Sequence, residues 1–246
     1  MTDKDYAEYA QDIAAVCNIL APLFLINPKE ESAQELICAV KNFDPCVDAQ
    51  SWPFGESEIV CEAMKKMGCC GSSNASGVAG DCGAAEYGTA GSNDECGAAN
   101  NSSEYFHDLS RAYQHLFIGP NFKAAPPWGS VYTDHDKVMF GQSCIELNVW
   151  MRKNGVQRLA DDNEPQDHIG LMITLLAWLA LNKPQLIEEF LAQHLLSWSH
   201  HYFEQFIPAA AQQHPFYEGL GMLADVTLEG MHEAFNIDVE YPRFYR

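Results

Sequence analysis

The stretch EPQDHIGLMITLLAWLAL, residues 164–181, sets three ionisable side chains, Glu164, Asp167 and His168, before a run that is apolar except for Thr174. From Ile169 the run extends 13 residues, short of the roughly 18–20 that a membrane-spanning helix requires, and it reads as a buried core helix. Asp161, Asp162 or Asn163 can cap this helix, Pro165 suits its first turn, and acidic groups favour the positive end of its dipole. On such a helix Asp167 and His168, three and four places after Glu164, share a face with it. That spacing raises the question of a metal or catalytic cluster.

Outward from this stretch, apolar residues keep returning at helical spacing. Tyr6, Tyr9, Ile13, Val16, Leu20 and Leu23 advance in steps of three and four and mark a first helix. A second starts near Pro28 with Leu36, Ile37 and Val40 turned inward, and 56–67 makes a third. From 68 to 101 the chain becomes rich in Gly, Ala, Ser, Asn and Cys, with only Val78 and Tyr87 as larger apolar groups. Such a segment buries too little to offset its ordering entropy, and it reads as a flexible insertion. Order resumes at SSEYFHDLSRAYQHLFIGP (102–120), where Ser102 or Ser103 can cap and Gly119–Pro120 stop the helix. Residues 121–141 hold Pro126, Pro127 and Gly129, resist helix, and read as an ordered loop carrying Trp128 and Tyr132, a candidate binding element. Helix returns at 142–154, and the polar linker 156–165 leads back to the opening stretch. Helical regions at 184–206 and 215–235 follow, and no run alternates like a strand. The expected fold is all-α: one globular domain over 1–246 with eight to ten helices, an inserted loop at 68–101 and a hinge candidate at 156–168.

Charge narrows the function. Fourteen Lys and Arg against 34 Asp and Glu leave a net charge of −20, a field that repels nucleic acid and anionic membrane surfaces and favours a basic partner. The start, MTDKDYAEYA, lacks the basic residues and apolar core of a secretory signal, so a cytoplasmic location without membrane insertion is expected. Nine cysteines in such a chain are expected to stay reduced.

Several chemistries find little support. Di-iron bundles use paired Glu-x-x-His motifs, whereas His168 lies one place too far from Glu164 and no second copy exists. Cys69, Cys70, Cys82 and Cys96 lack the C-x-x-C pairs of zinc and iron–sulfur sites. Cys17, Cys38, Cys46, Cys61 and Cys144 lie in or beside helical patterns. GQSCI, around Cys144, is no nucleophile elbow, and GVAGDCG has no strand before it or Lys-Ser/Thr after it to bind phosphate. His200 and His201 read as half-exposed, and Trp178 and Trp198 as core.

Three patches carry a likeness. LFIGP (116–120), APPWGSVY (125–132) and EPQDHIGLM (164–172), with MFGQS (139–143) and FLAQHLLSW (190–198) at fitting intervals, resemble the TorD/DmsD family, closer to its DmsD-like branch. These are cytoplasmic chaperones that mature molybdenum oxidoreductases and bind their twin-arginine leaders. The likeness covers about 103–198 well and the N-terminal helices in character only. It implies an all-helical binding protein with no catalytic chemistry and no cofactor. Its partners would be a twin-arginine signal peptide and the catalytic subunit of a reductase of the DMSO or TMAO type. It implies a client surface formed by Leu116, Phe117, Gly119, Pro120, Pro126, Pro127, Trp128, Tyr132, Glu164, Pro165, Asp167 and His168. Glu164 and Asp167, helped by Asp134 and Asp136, would meet the arginines, while Trp128 and Tyr132 would offer rigid apolar area. His168 would be neutral there, bonded to backbone or to Asp167. The insertion at 68–101 is no part of the likeness. A monomer, or a dimer that exchanges halves about the hinge, is compatible with it. The contrasting reading is a metal-dependent enzyme using Glu164, Asp167, His168 and the inserted cysteines; a weak guanine-nucleotide site has no motif behind it.

Overall fold

The structure, a computed structural model, describes residues 6–68, 95–120, 122–159 and 163–246, of which 95–102 are described by backbone alone. Most of the expected insertion, with Cys69, Cys70, Cys82 and the Cys96 side chain, lies outside the described residues. So do the cap candidates Asp161 and Asp162 and part of the expected hinge.

The chain folds as α1 (Ala10–Leu25), α2 (Glu31–Lys41), α3 (Pro45–Ser51), α4 (Ser57–Gly68) and α5 (Glu95–Tyr113), then α6 (Ser130–Thr133), a single turn, and α7 (Gln142–Lys153). It ends with α8 (Ile169–Asn182), α9 (Ile187–Phe190), α10 (Leu196–Ala211) and α11 (Pro215–Phe235). Among the described residues there is no strand, only one isolated antiparallel bridge between Trp128 and His168. The all-α reading is therefore correct. None of the described helices is long and apolar enough to cross a membrane.

Helix α8 is the axis of the core. Ile169, Met172, Ile173, Leu176 and Leu179 are all but closed to solvent, as expected of a helix apolar nearly all round. It packs chiefly on α1, while α11 is held between α4 and α10. Gly170 makes the first contact close: a Cβ there would stand 2.7 Å from Leu25 Cγ and 3.0 Å from Phe24 Cβ. Phe24 in turn meets Phe117, Phe203 and Phe206 at centroid distances of 5.9–6.3 Å, tying α1, the turn that follows α5, and α10 into one aromatic core.

The boundaries hold four corrections. First, α8 starts at Ile169 rather than near Pro165, because Pro165 to His168 close a turn (His168 N to Pro165 O, 3.1 Å). His168 is extended at ψ 130° and caps the helix, its ring accepting from Gly170 N. Second, α5 begins at Glu95, so Ser102 and Ser103 lie within it rather than at its start. Third, Asp44 and Pro45 open α3, where the Asp44 side chain accepts from Cys46 N and Val47 N; the sequence reading missed this helix. Fourth, Trp178 is 40% exposed and is not core, whereas Trp198, at 2%, is.

Two of the motif patches contain π-turns, Gln114–Ile118 in QHLFI and Leu191–Leu195 in LAQHL. The extra residue in each widens a turn, a distortion often found at functional sites. In the first it leaves Leu116 and Phe117 buried and Ile118 56% exposed. Gly119 then ends the helix at φ +100°, its N–H donating to Gln114 O at 2.8 Å.

Candidate functional site

The second and third patches, 125–132 and 164–172, lie side by side although more than thirty residues of chain separate them. Backbone bonds run both ways: Gly129 N donates to Asp167 O (3.1 Å) and Ile169 N to Pro127 O (2.8 Å). Ser130 N donates to Asp167 Oδ2 at 2.7 Å, and Trp128 Nε1 donates to Glu164 Oε1 at 2.6 Å. The two segments therefore form one unit.

Asp167 and Tyr132 hold this unit from inside. Asp167 is 2% exposed, and the Cys144 thiol lies near its carboxylate, pushed up to about 11 by burial first and then by the Asp167 charge. Tyr132 is fully buried; its hydroxyl donates to Pro126 O at 2.8 Å and its ring stacks on Trp198 at 5.9 Å. Gly129 is needed for that approach, since a Cβ there would stand 2.7 Å from the Trp198 ring. From the other side Tyr245 N donates to Tyr132 O (2.9 Å), and Arg246 Nη2 donates to Lys123 O and Ala124 O (2.6 and 2.9 Å). The loop rests in a backbone cradle.

Above the cradle opens a cleft of about 490 Å³, within the range of small-ligand pockets. Phe24 and Leu25 of α1 and Tyr113, Phe117 and Ile118 at the end of α5 form one wall. Trp128, Glu164, His168 and Leu171 face them, with Arg158 at the rim. The Arg158 Nη1 donates to the Glu164 carbonyl at 3.5 Å. Of the sequence-derived residues, Phe117, Trp128, Glu164 and His168 line this cleft. Pro126, Pro127, Pro165 and Leu116 are buried beneath or beside it, and Gly119 and Pro120 end the α5 wall. Asp134 lies elsewhere, its Oδ2 accepting from Gln142 N at 2.7 Å as a cap for α7. Backbone hydrogen bonds from Gln142 and Asp136 hold its carboxyl below the usual range. A Cβ at Gly141 would strike that carboxylate. Phe24, Leu25, Tyr113, Ile118, Arg158, Asn163 and Leu171 were missed; the one local signal was that Ile118 and Leu171 lie inside the LFIGP and EPQDHIGLM patches.

Glu164, Asp167 and His168 do not converge as metal ligands. His168 Nδ1 accepts from Gly170 N (3.1 Å) and Asp167 from Ser130 N. Among the described residues the one trio of donors lying within 4.8 Å of one another is His200, Asp225 and Glu229, on α10 and α11, where His200 and Asp225 already pair at 3.1 Å.

Burial, and secondarily the Arg158 charge, lowers the His168 pKa to about 3. The imidazole is therefore neutral at physiological pH, as expected, with a backbone amide as its partner. In the unfolded chain His168 takes a proton near pH 6.5. Between 6.5 and 3 the unfolded state thus binds more protons, so this contribution to stability is complete above pH 6.5 and declines as pH falls. Stability is expected to fall by about 2 kcal/mol from pH 6.5 to 5 through His168 alone. Urea melts of the protein and of His168→Asn, which keeps a cap acceptor without the titration, check this. Identical pH slopes would refute it. His194 and His214, also lowered by burial, leave a residual slope in both proteins.

The profile of the nitrate reductase delta subunit family matches residues 88–204. The Tat proofreading chaperone DmsD of Salmonella typhimurium is 44% identical over 139 residues, 56% of this chain and 67% of the relative. The chain belongs to the TorD/DmsD chaperone family. A probable Tat proofreading chaperone DmsD of Haemophilus influenzae is 40% identical over 139 residues, covering 56% of this chain and 68% of its own. More distant is the chaperone protein TorD of Vibrio vulnificus, 25% identical over 126 residues, 46% of this chain and 55% of that one. The higher identity lies on the DmsD side of the TorD/DmsD family. A TorD/DmsD member is a system-specific chaperone, not an enzyme, which sets aside the metal-dependent reading of Glu164, Asp167 and His168.

Proposed function

We propose that this chaperone binds the twin-arginine leader of a molybdenum oxidoreductase in the cleft between α1, α5 and the 125–132 loop. In doing so it holds the apo catalytic subunit in the cytoplasm until its cofactor is inserted. The observation that carries the reading is the meeting of Glu164 and Trp128 at the cleft's edge, their side chains bonded at 2.6 Å. The indole N–H fixes the orientation of this carboxylate beside the cleft. A guanidinium docked there has a planar fork to match the carboxylate and an aromatic face beside it. The net charge of −20 adds a field that speeds encounter with a basic peptide and weakens with salt.

Within this reading Asp167 and Tyr132 position the loop while Glu164 and Trp128 touch the peptide. The relatives named Tat proofreading chaperone support a leader as the ligand. The test is calorimetric titration of a synthetic leader against the same peptide with both arginines changed to lysine. Micromolar or tighter binding of the first and at least tenfold weaker binding of the second are expected. Glu164→Ala should lower the affinity for the arginine peptide about 10- to 100-fold, the scale of one charge-assisted hydrogen bond. Equal binding of both peptides, or indifference to Glu164→Ala, would sink the reading. For oligomeric state the proposal is a monomer, or a dimer that exchanges halves about a hinge at 156–168.

A further inference from the structure

Past α11 the chain runs without helix from Ile237 to Arg246. Ile237 is buried and Val239 packs on the core, which fixes the root of this segment. Phe244, Tyr245 and Arg246 then reach the back of the loop that carries Trp128 and hold it at both ends. At its entry, Arg246 Nη2 donates to Lys123 O and Ala124 O (2.6 and 2.9 Å), and the guanidinium stands 4.7 Å from the Phe122 ring centroid. At its exit, Tyr245 N donates to Tyr132 O at 2.9 Å, and the Tyr245 ring meets His135 edge-on at 5.4 Å. His201 of α10 seats the segment. Its ring stacks on Phe244 at 4.3 Å, meets Tyr132 edge-on at 5.9 Å and places Nε2 2.6 Å from Arg246 O. Among the described residues that line the cleft, none belongs to 237–246.

We propose that Arg246 is a positioning residue: with Phe244, Tyr245 and His201 it straps the 125–132 loop onto 164–172, and so sets the affinity of the cleft without touching its ligand. The inference rests on the reading of the cleft as the leader site. The entry of the loop lies open, with Phe122 82% exposed, and exposed backbone of this kind opens at low free energy. One charged nitrogen that donates to two successive carbonyls ties two peptide groups at once, and charge-assisted hydrogen bonds are the strong ones. A ligand that binds only the docked loop loses affinity in proportion to the docked fraction. Charge alone predicts the reverse. Removing a cation from a protein that attracts a basic peptide should strengthen binding, whereas removing a strap weakens it.

The test titrates a synthetic twin-arginine leader by calorimetry into the whole protein and into Arg246→Ala, Arg246→Lys, Phe244→Ala and Glu164→Ala, with thermal melts to show that the variants fold. Amide hydrogen exchange at Gly129 and Ser130 is read on the same proteins without peptide. These amides bond to Asp167 and not to the strap, so they report undocking itself. Arg246→Ala is expected to lower leader affinity roughly 10-fold, which corresponds to a docked fraction of about one in ten, with exchange at Gly129 and Ser130 approaching that of a free amide. Phe244→Ala should do the same to a smaller extent, and Arg246→Lys, which keeps a charged donor, should recover part of the loss. Unchanged affinity in Arg246→Ala and Phe244→Ala beside a weakened Glu164→Ala removes the strap and leaves the leader reading standing. Lost affinity without faster exchange at Gly129 and Ser130 overturns it too, because the loop then stays docked. If the unaltered protein binds no leader, the leader reading falls, and the strap's hold on the loop stands or falls on the exchange rates alone.

Discussion

Trp128→Ala should lower leader affinity by about 2–3 kcal/mol, roughly 30- to 150-fold, with little change in melting temperature. The ring is half-buried, stands edge-on to His168 at 6.1 Å, lines the cleft, and has Lys123 Nζ 5.5 Å from its centroid, so a docked guanidinium would share the ring with that ammonium. Its N–H orients the Glu164 carboxylate, and truncation therefore removes an aromatic wall and loosens an acceptor together. Trp128→Phe separates the two: it keeps most of the ring and loses the N–H, and an intermediate loss is expected. Calorimetry with a synthetic leader reads both variants. If alanine and tryptophan bind alike, Trp128 is no contact residue and the cleft is misassigned.

The second large effect is on stability. Gly129 has an ordinary helical φ of −59°, so space rather than backbone freedom makes glycine necessary there. A methyl group would stand 2.7 Å from Trp198, which is 2% exposed, stacked on Tyr132 and tied by its N–H to His194 O at 2.8 Å. Nothing in that sandwich can move cheaply. Overpacking of this kind costs about 2–3 kcal/mol, or roughly 5–10 °C in the midpoint of a chain this long. Adding Trp198→Phe makes room and should return part of the loss. A midpoint unchanged in Gly129→Ala would show that the loop is not seated on Trp198.

Much of the fold was open to reading because helical periodicity is local. The 215–235 helix coincides with α11, and the Ile13, Val16, Leu20 and Leu23 face is the buried face of α1. What escaped depended on distant partners. Histidine is not among the usual N-caps, so Pro165 and the acidic residues drew the start of α8 too early. Only the fold shows Asp167 turning to Ser130, 37 residues away. Trp178 was misplaced for a different reason: on a helix apolar all round, no contrast marks which side meets water. The site was legible as three patches. The cleft was not, because Phe24, Leu25 and Tyr113 are core-type residues of helices whose sequences give no hint of an opening.

The interlock of Pro127, Gly129 and Ser130 with Asp167 and Ile169 has a consequence for engineering. Neither strip of chain is a portable module. A chimera that took the 125–132 loop from a relative of different client preference, and left 163–170 behind, would inherit side chains without the amide register that aims them. Transferring specificity between such chaperones means moving both strips at once, together with Trp198 as their common seat.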